Sequence, residues 1–298
     1  MKAMSKRVLL IDYDSKIPNL ALMKLSAYHK AKGDEVGFNV TDPDIVYVSV
    51  IFSKNKQQAM GLKYMFPESE VIFGGSAINY DWLPQEIEFM KPDYDLYPSE
   101  YSQGFTTRGC IRSCPFCIVP KKEGYLKRWQ HPKEFHDSRF DTIMIMDNNW
   151  LADKEWFLKT TDWIVSEDLW VIEHGMDIRL LDDEIAQRLA EMKFKKPIKF
   201  AFDWMWVEPF VRRGIEILKR AGINVRSNVM FYVLVGYNTT PEEDKYRCRL
   251  LKELGTNAFV MPYVKNEWTK KIARWANRKW LYWSIDIDEY NPKNDNSK

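Results

Sequence analysis

Three of the chain's four cysteines fall within "TTRGCIRSCPFCIVPKKEG" (residues 106–124), where Cys110, Cys114 and Cys117 stand as C-x3-C-x2-C. Three soft thiolates on one tight loop can hold three irons of a cubane cluster and leave the fourth iron without a protein ligand. Such an open corner is where an exogenous ligand coordinates and receives an electron, whereas a structural zinc takes a closed set of four. Zinc stays open as an alternative at this point, with His131, His136 or the distant Cys248 as fourth ligand. Cys248 sits inside an apparent amphipathic helix, where a cysteine is ordinarily a small buried hydrophobe. Thiols this close together make poor disulfide partners.

C-x3-C-x2-C with an aromatic, Phe116, before the last cysteine resembles the signature of the radical S-adenosylmethionine (radical SAM) enzymes, over roughly residues 100 to 264. The resemblance implies a partial (β/α)6 barrel with a 4Fe-4S cluster on the loop after its first strand. It further implies S-adenosyl-L-methionine bound to the open iron, reductive cleavage to a 5'-deoxyadenosyl radical, hydrogen abstraction from a substrate, and an external electron donor such as flavodoxin or ferredoxin. Asp147, Asn148 and Asn149 in "MDNNW" stand where the family hydrogen-bonds the methionine amine, and their oxygens suit an ammonium; an Asx turn capping the next helix is the ordinary alternative. Asp177 and Arg179 in "GMDIRLL" would reach ribose hydroxyls or the methionine carboxylate, or else pair with each other. Asp203 in "FAFDW" stands near the ribose position, and Gly236 in "VLVGY" and Pro262 in "MPY" near the adenine, with core packing and strand termination as equal alternatives.

The elements that must position these residues follow two rhythms. Residues 1–98 alternate strand and helix ("RVLLIDY", "PNLALMKLSAYHKAKG", "EVGFN", "DIVYVSVIF", "EVIFGG"), which predicts a small doubly wound, Rossmann-like domain. Only "NVTDP" separates its second and third strands, so the wind there is either trimmed or locally antiparallel. Residues 99–264 repeat strand and helix as a parallel sheet, open or closed into a barrel, with ligands expected at the carboxyl ends of the strands. Residues 265–298 predict a helical extension and a frayed tail, "NPKNDNSK". A small doubly wound domain before such a barrel resembles the cobalamin-binding branch of the family, and Ser49 with Gly74 and Gly75 matches two of that domain's features. The D-x-H-x-x-G motif is missing and His29 sits within the first helix, so a degenerate domain kept for packing or substrate access is the leading expectation and cobalamin the weaker one.

A net charge of +2 gives no global electrostatic case for a nucleic-acid or membrane partner. No apolar run approaches the roughly 20 residues of a membrane helix, and "MKAMSKRVLLIDYD" runs straight into a strand, so a cytoplasmic protein is expected. The substrate is expected to be a small molecule or nucleotide. The basic-aromatic runs "KKEGYLKRWQH" and "RWANRKW" leave nucleic acid open as a partner. The alternatives to a hydrogen-abstracting radical SAM enzyme are a cobalamin-dependent radical methyltransferase and a non-catalytic zinc or iron–sulfur protein that binds nucleic acid.

Overall fold

The computed structural model describes residues 5–292, and residues 293–298 of the expected tail lie outside them. The chain forms two compact units, Met1–Ser113 with Cys117–Met144, and Cys114–Phe116 with Ile145–Lys298. Both are α/β units built on parallel strands. Among the described residues no helix is long and apolar enough to cross a membrane.

In the first unit, short apolar runs form β1 (Arg7–Asp12), β2 (Glu35–Gly37), β3 (Ile45–Ser49) and β4 (Glu70–Gly74), all parallel in the order β2-β1-β3-β4. Successive strand residues point to opposite faces, so both faces need cover. Val8, Leu10 and Ile45 bury one face against Leu22 and Leu25 of α1 (Leu20–Lys32). Leu9, Val46 and Val48 bury the other against Ala59 of α2 (Lys56–Met60). Ile87 of α3 (Gln85–Glu88) joins the α1 side. The Asn19 side chain caps α1 by accepting from the Ala21 and Leu22 amides, and Gly33 ends it at φ 81°. Strands β2 and β3 flank β1 and run parallel to it, so "NVTDP" trims the wind and does not reverse a strand.

The same unit continues through β5 (Ser102–Gly104), β6 (Thr107–Arg108), α4 (Val119–Lys122), β7 (Lys127–Arg128), α5 (Pro132–Phe135) and β8 (Thr142–Ile145). Strands β6 and β7 pair antiparallel and close a hairpin around the cysteines. Hydrogen bonds cross residue 98 within this unit. The Tyr94 hydroxyl donates to the Phe135 carbonyl at 2.7 Å and receives the Gln103 amide at 3.0 Å, while the Gln103 side chain donates to the Pro18 carbonyl at 2.7 Å.

The second unit holds α6 (Lys154–Ser166), β9 (Trp170–Ile172), α7 (Asp183–Glu191), β10 (Lys193–Phe194), β11 (Ile198–Ala201), α8 (Glu208–Arg220), α9 (Val225–Asn228), β12 (Val229–Val235), α10 (Pro241–Glu253), β13 (Asn257–Pro262), α11 (Glu267–Ala276) and α12 (Lys279–Ser284). Strands β9 and β10 pair parallel, as do β11, β12 and β13. Across "VIEHGMDI" (residues 171–178) the ladder is interrupted: β9 stops at Ile172 and pairing resumes only at Met176, which bridges to Phe200 of β11. Between them the buried Glu173 carboxylate accepts the Gly175 amide at 2.5 Å and the Lys199 amide at 2.8 Å, replacing ladder bonds. Along β12, Val229, Phe231, Val233 and Val235 are fully buried and alternate with half-buried Met230, Tyr232 and Leu234.

Candidate functional site

The cysteines occupy the loop between β6 and α4, and its two ends are fixed by Arg108. Arg108 donates to Glu88 at 2.8 Å and to Glu123 at 2.7 Å, and its guanidinium lies 4.3 Å from the ring centroids of both Trp82 and Phe105. Next to it Gly109 takes φ 79° against the Tyr125 carbonyl, where a Cβ would collide, and the Cys110 amide donates to the Gly124 carbonyl at 3.3 Å.

All three loop cysteines are half-buried and free of disulfides. The Arg112 amide donates to the Cys110 sulfur at 3.3 Å and the Val119 amide to the Cys117 sulfur at 3.5 Å. Backbone N–H groups that donate to cysteine sulfur are a feature of iron–sulfur sites. Cys248 is the opposite case: it is fully buried on α10, and desolvation pushes its thiol up to about 12. Among the described residues no three His, Cys, Asp or Glu side chains form a set for one metal ion. A cubane asks for something else, since each thiolate binds its own iron. His131, one candidate for a fourth zinc ligand, accepts the Lys133 amide at 3.3 Å through Nδ1 and so caps α5.

In the second unit the aromatic of the cysteine motif joins the strand ends. The Phe116 ring lies 5.7 Å from Trp204 and 5.4 Å from Tyr237, these two are 5.9 Å apart, and Tyr237 is 4.7 Å from Tyr263. Trp204 follows Asp203, Tyr237 follows Gly236, and Tyr263 follows Pro262. Three stretches expected to line a ligand therefore meet at Phe116 and its neighbours. Trp204, Tyr237 and Tyr263 were legible only as aromatics beside residues chosen for other reasons.

The Asp203 carboxylate accepts the Leu234 amide at 3.2 Å. Desolvation pushes its pKa up to about 6, against the lowering effect of that amide, Arg247 and Arg179. Arg179 is already engaged: its Nε and Nη2 donate to Asp177 at 2.6 and 2.8 Å, and its guanidinium lies 5.1 Å from the Trp206 ring. The sequence left that pair open, and its members bind each other. Gly236 has φ 74°, and a Cβ there would come within 2.9 Å of Thr269, so packing alone demands glycine. Pro262 ends β13 in register with Val235.

Asp147 and Asn149 are buried after β8, and the side-chain nitrogen of Asn148 is buried without a hydrogen-bond partner. None of the three caps α6, because Asp153 does so by accepting the Trp156 amide at 3.0 Å. His174 is exposed, and burial of part of its ring, with Lys199 and Lys196 nearby, lowers its pKa.

At the carboxyl edge of the first unit's sheet, the chain's own groups fill the polar positions. The Ser49 hydroxyl accepts from Asn19 at 2.8 Å, and Asp14 accepts the Ile51 and Phe52 amides at 2.7 and 3.0 Å. Gly75, at φ 94°, packs against the Val50 backbone. Both nitrogens of His29 are engaged, with Asp34 at 2.7 Å and Tyr47 at 3.3 Å. The basic-aromatic runs are built in only in part, with Tyr125, Lys127, Arg128 and Trp280 exposed. Trp275 is fully buried, Asn277 accepts the Val260 amide at 2.6 Å and donates to its carbonyl at 3.0 Å, and Trp129 stacks on Phe89 at 4.6 Å.

Against known proteins, no family model matches the chain, and no curated protein matches it significantly.

Proposed function

We propose that the chain is a radical SAM enzyme in which Cys110, Cys114 and Cys117 hold a 4Fe-4S cluster and the second unit's sheet is the partial barrel that receives S-adenosylmethionine. The observation that carries this reading is the placement of Phe116, from within the cysteine motif, against Trp204 and Tyr237 at the carboxyl ends of β11 and β12. Parallel sheets bind ligands at that edge. The thiols suit the cluster in softness and in their N–H···S contacts.

When held by Cys110, Cys114 and Cys117, the cluster would supply the single electron for reductive cleavage of S-adenosylmethionine and so the means of hydrogen abstraction from a substrate. The protein's own part is to orient and to shield. Asp203 offers an acceptor in a poorly solvated position, and the Asn148 amide offers a buried donor without a partner. Phe116, Trp204 and Tyr237 cluster over the strand ends and would limit the access of water and stray hydrogen donors to them. Arg179 enters as a brace for Asp177, not as a free fork for the methionine carboxylate.

Anaerobic reconstitution with iron and sulfide tests the proposal. The expected result is a brown protein with about four irons per chain that forms 5'-deoxyadenosine from S-adenosylmethionine under dithionite. A colourless protein with stoichiometric zinc and no turnover overturns it. Corrinoid copurifying with the protein would favour the methyltransferase instead, against the engaged Ser49 and His29.

A further inference from the structure

We infer that Arg247 is a positioning residue for this site, holding the strand ends that carry Asp203 and Gly236 at one buried cation. The inference rests on reading Asp203 and Gly236 as ligand contacts. Arg247 lies on α10 and is fully buried. Its Nη1 donates to the Phe202 carbonyl at 2.8 Å and its Nη2 to the Leu234 carbonyl at 2.8 Å. Phe202 immediately precedes Asp203, and Leu234 stands two residues before Gly236. Leu234 also donates its amide to Asp203, so the cation and the carboxylate hold the carbonyl and the amide of one residue.

The counter-ion is built for the task. Asp244, 1% exposed, accepts from Arg247 at 2.7 Å, from the Thr239 hydroxyl at 2.8 Å and from the Trp268 indole at 3.0 Å. A buried ion pair offsets its desolvation only when its groups are hydrogen-bonded, as Asp244 and both terminal nitrogens of Arg247 are, while the Arg247 Nε is buried without a partner; apolar replacement of both partners is often tolerated by the fold. What apolar replacement cannot supply is a fork that ties two carbonyls together beside a carboxylate. The charged groups that bear on Asp203 are Arg247 on α10 and the Arg179–Asp177 pair after β9.

Two variants, studied without cluster or S-adenosylmethionine, test the inference. Carboxyl-carbon NMR follows Asp203, and amide exchange follows Asp203, Trp204 and Gly236. In the double variant Asp244→Leu/Arg247→Met, with its fold checked by circular dichroism, the Asp203 midpoint should rise by about one unit. In Arg247→Lys, which keeps charge and loses the fork, the midpoint should stay while exchange at the strand-end amides quickens about tenfold. A folded double variant with an unmoved midpoint, or Arg247→Lys with unmoved exchange, overturns the inference. Because neither measurement needs cofactor, loss of the radical SAM reading would show separately, as wild-type protein that fails to bind S-adenosylmethionine.

Discussion

Cys114 and Cys248 are the same side chain in opposite surroundings, and the difference is testable. A loop with two thiolates cannot hold a cubane, so Cys114→Ala should lose nearly all iron after anaerobic reconstitution. Cys248→Ala should keep wild-type iron and lose about 1 kcal/mol of stability from a small cavity. Equal iron loss in both would refute a three-cysteine site. Asp203 carries a second prediction, in pH. Its folded carboxyl titrates near 6 against 3.8 when exposed, so between those values the folded state holds a proton that the unfolded state has released. Stability therefore falls as pH rises through that window and stays reduced above it, by about 2–3 kcal/mol at most. Asp203→Asn should be more stable than wild type to urea at pH 7 and no different at pH 3.5; a gain that is the same at both pH values contradicts the assignment. The cysteines were legible because softness and spacing fix their chemistry. Arg179 was not, because its competitor Asp177 is two residues away and only geometry decides between partner and ligand. Arg247 was hidden for another reason: a charge on the apolar face of a helix means something only when Asp244, one turn back, is seen beneath it.

Elements were legible where apolar periodicity is strong, as in β1, β3, β12 and α8, and illegible where a side chain replaces the ladder. Glu173 interrupts "VIEHGMDI" by taking two amides that a continuous strand would have paired with carbonyls. Nothing in its type announces this. The cysteine hairpin is held the same way, by a side chain and not by its two-residue strands. Arg108 and Glu123 have side chains 11% and 2% exposed, so breaking the pair leaves a charge with little water. Arg108→Met should cost about 3 kcal/mol in denaturant unfolding and open residues 109–126 to protease. A double variant that also carries Glu123→Leu should recover part of that stability. If Arg108→Met is no easier to cleave within the hairpin than wild type, the clamp is not what orders the loop.

At the scale of the whole chain, composition set the limits and long-range bonds set the boundary. The rhythm change near residue 99 is real in the sequence, yet Gln103 reaches Pro18 and Arg108 reaches Glu88, so this stretch belongs with the first sheet. Bonds across some 20 to 85 residues leave no local trace. The same scale bears on nucleic acid as a partner. Affinity for a phosphate backbone grows with the number of cations free to release counterions, and a net charge of +2, with 44 Lys and Arg against 42 acids, gives no global excess of them. Several aromatics that would stack bases are engaged elsewhere: Trp275 is in the core, Trp129 lies on Phe89, and Arg226 covers Trp283 at 3.1 Å, whereas Tyr125 of "KKEGYLKRWQH" is 74% exposed. Trp280, 59% exposed, is the large aromatic that "RWANRKW" leaves open to solvent. One stacked base contributes about 1–3 kcal/mol, so single-stranded RNA should bind no more tightly than the non-specific range of about 10⁻⁴ to 10⁻⁶ M at physiological salt. Fluorescence anisotropy with a labelled oligonucleotide measures this. Nanomolar affinity that Trp280→Ala abolishes would turn the argument round and make nucleic acid the partner for which the second unit is built.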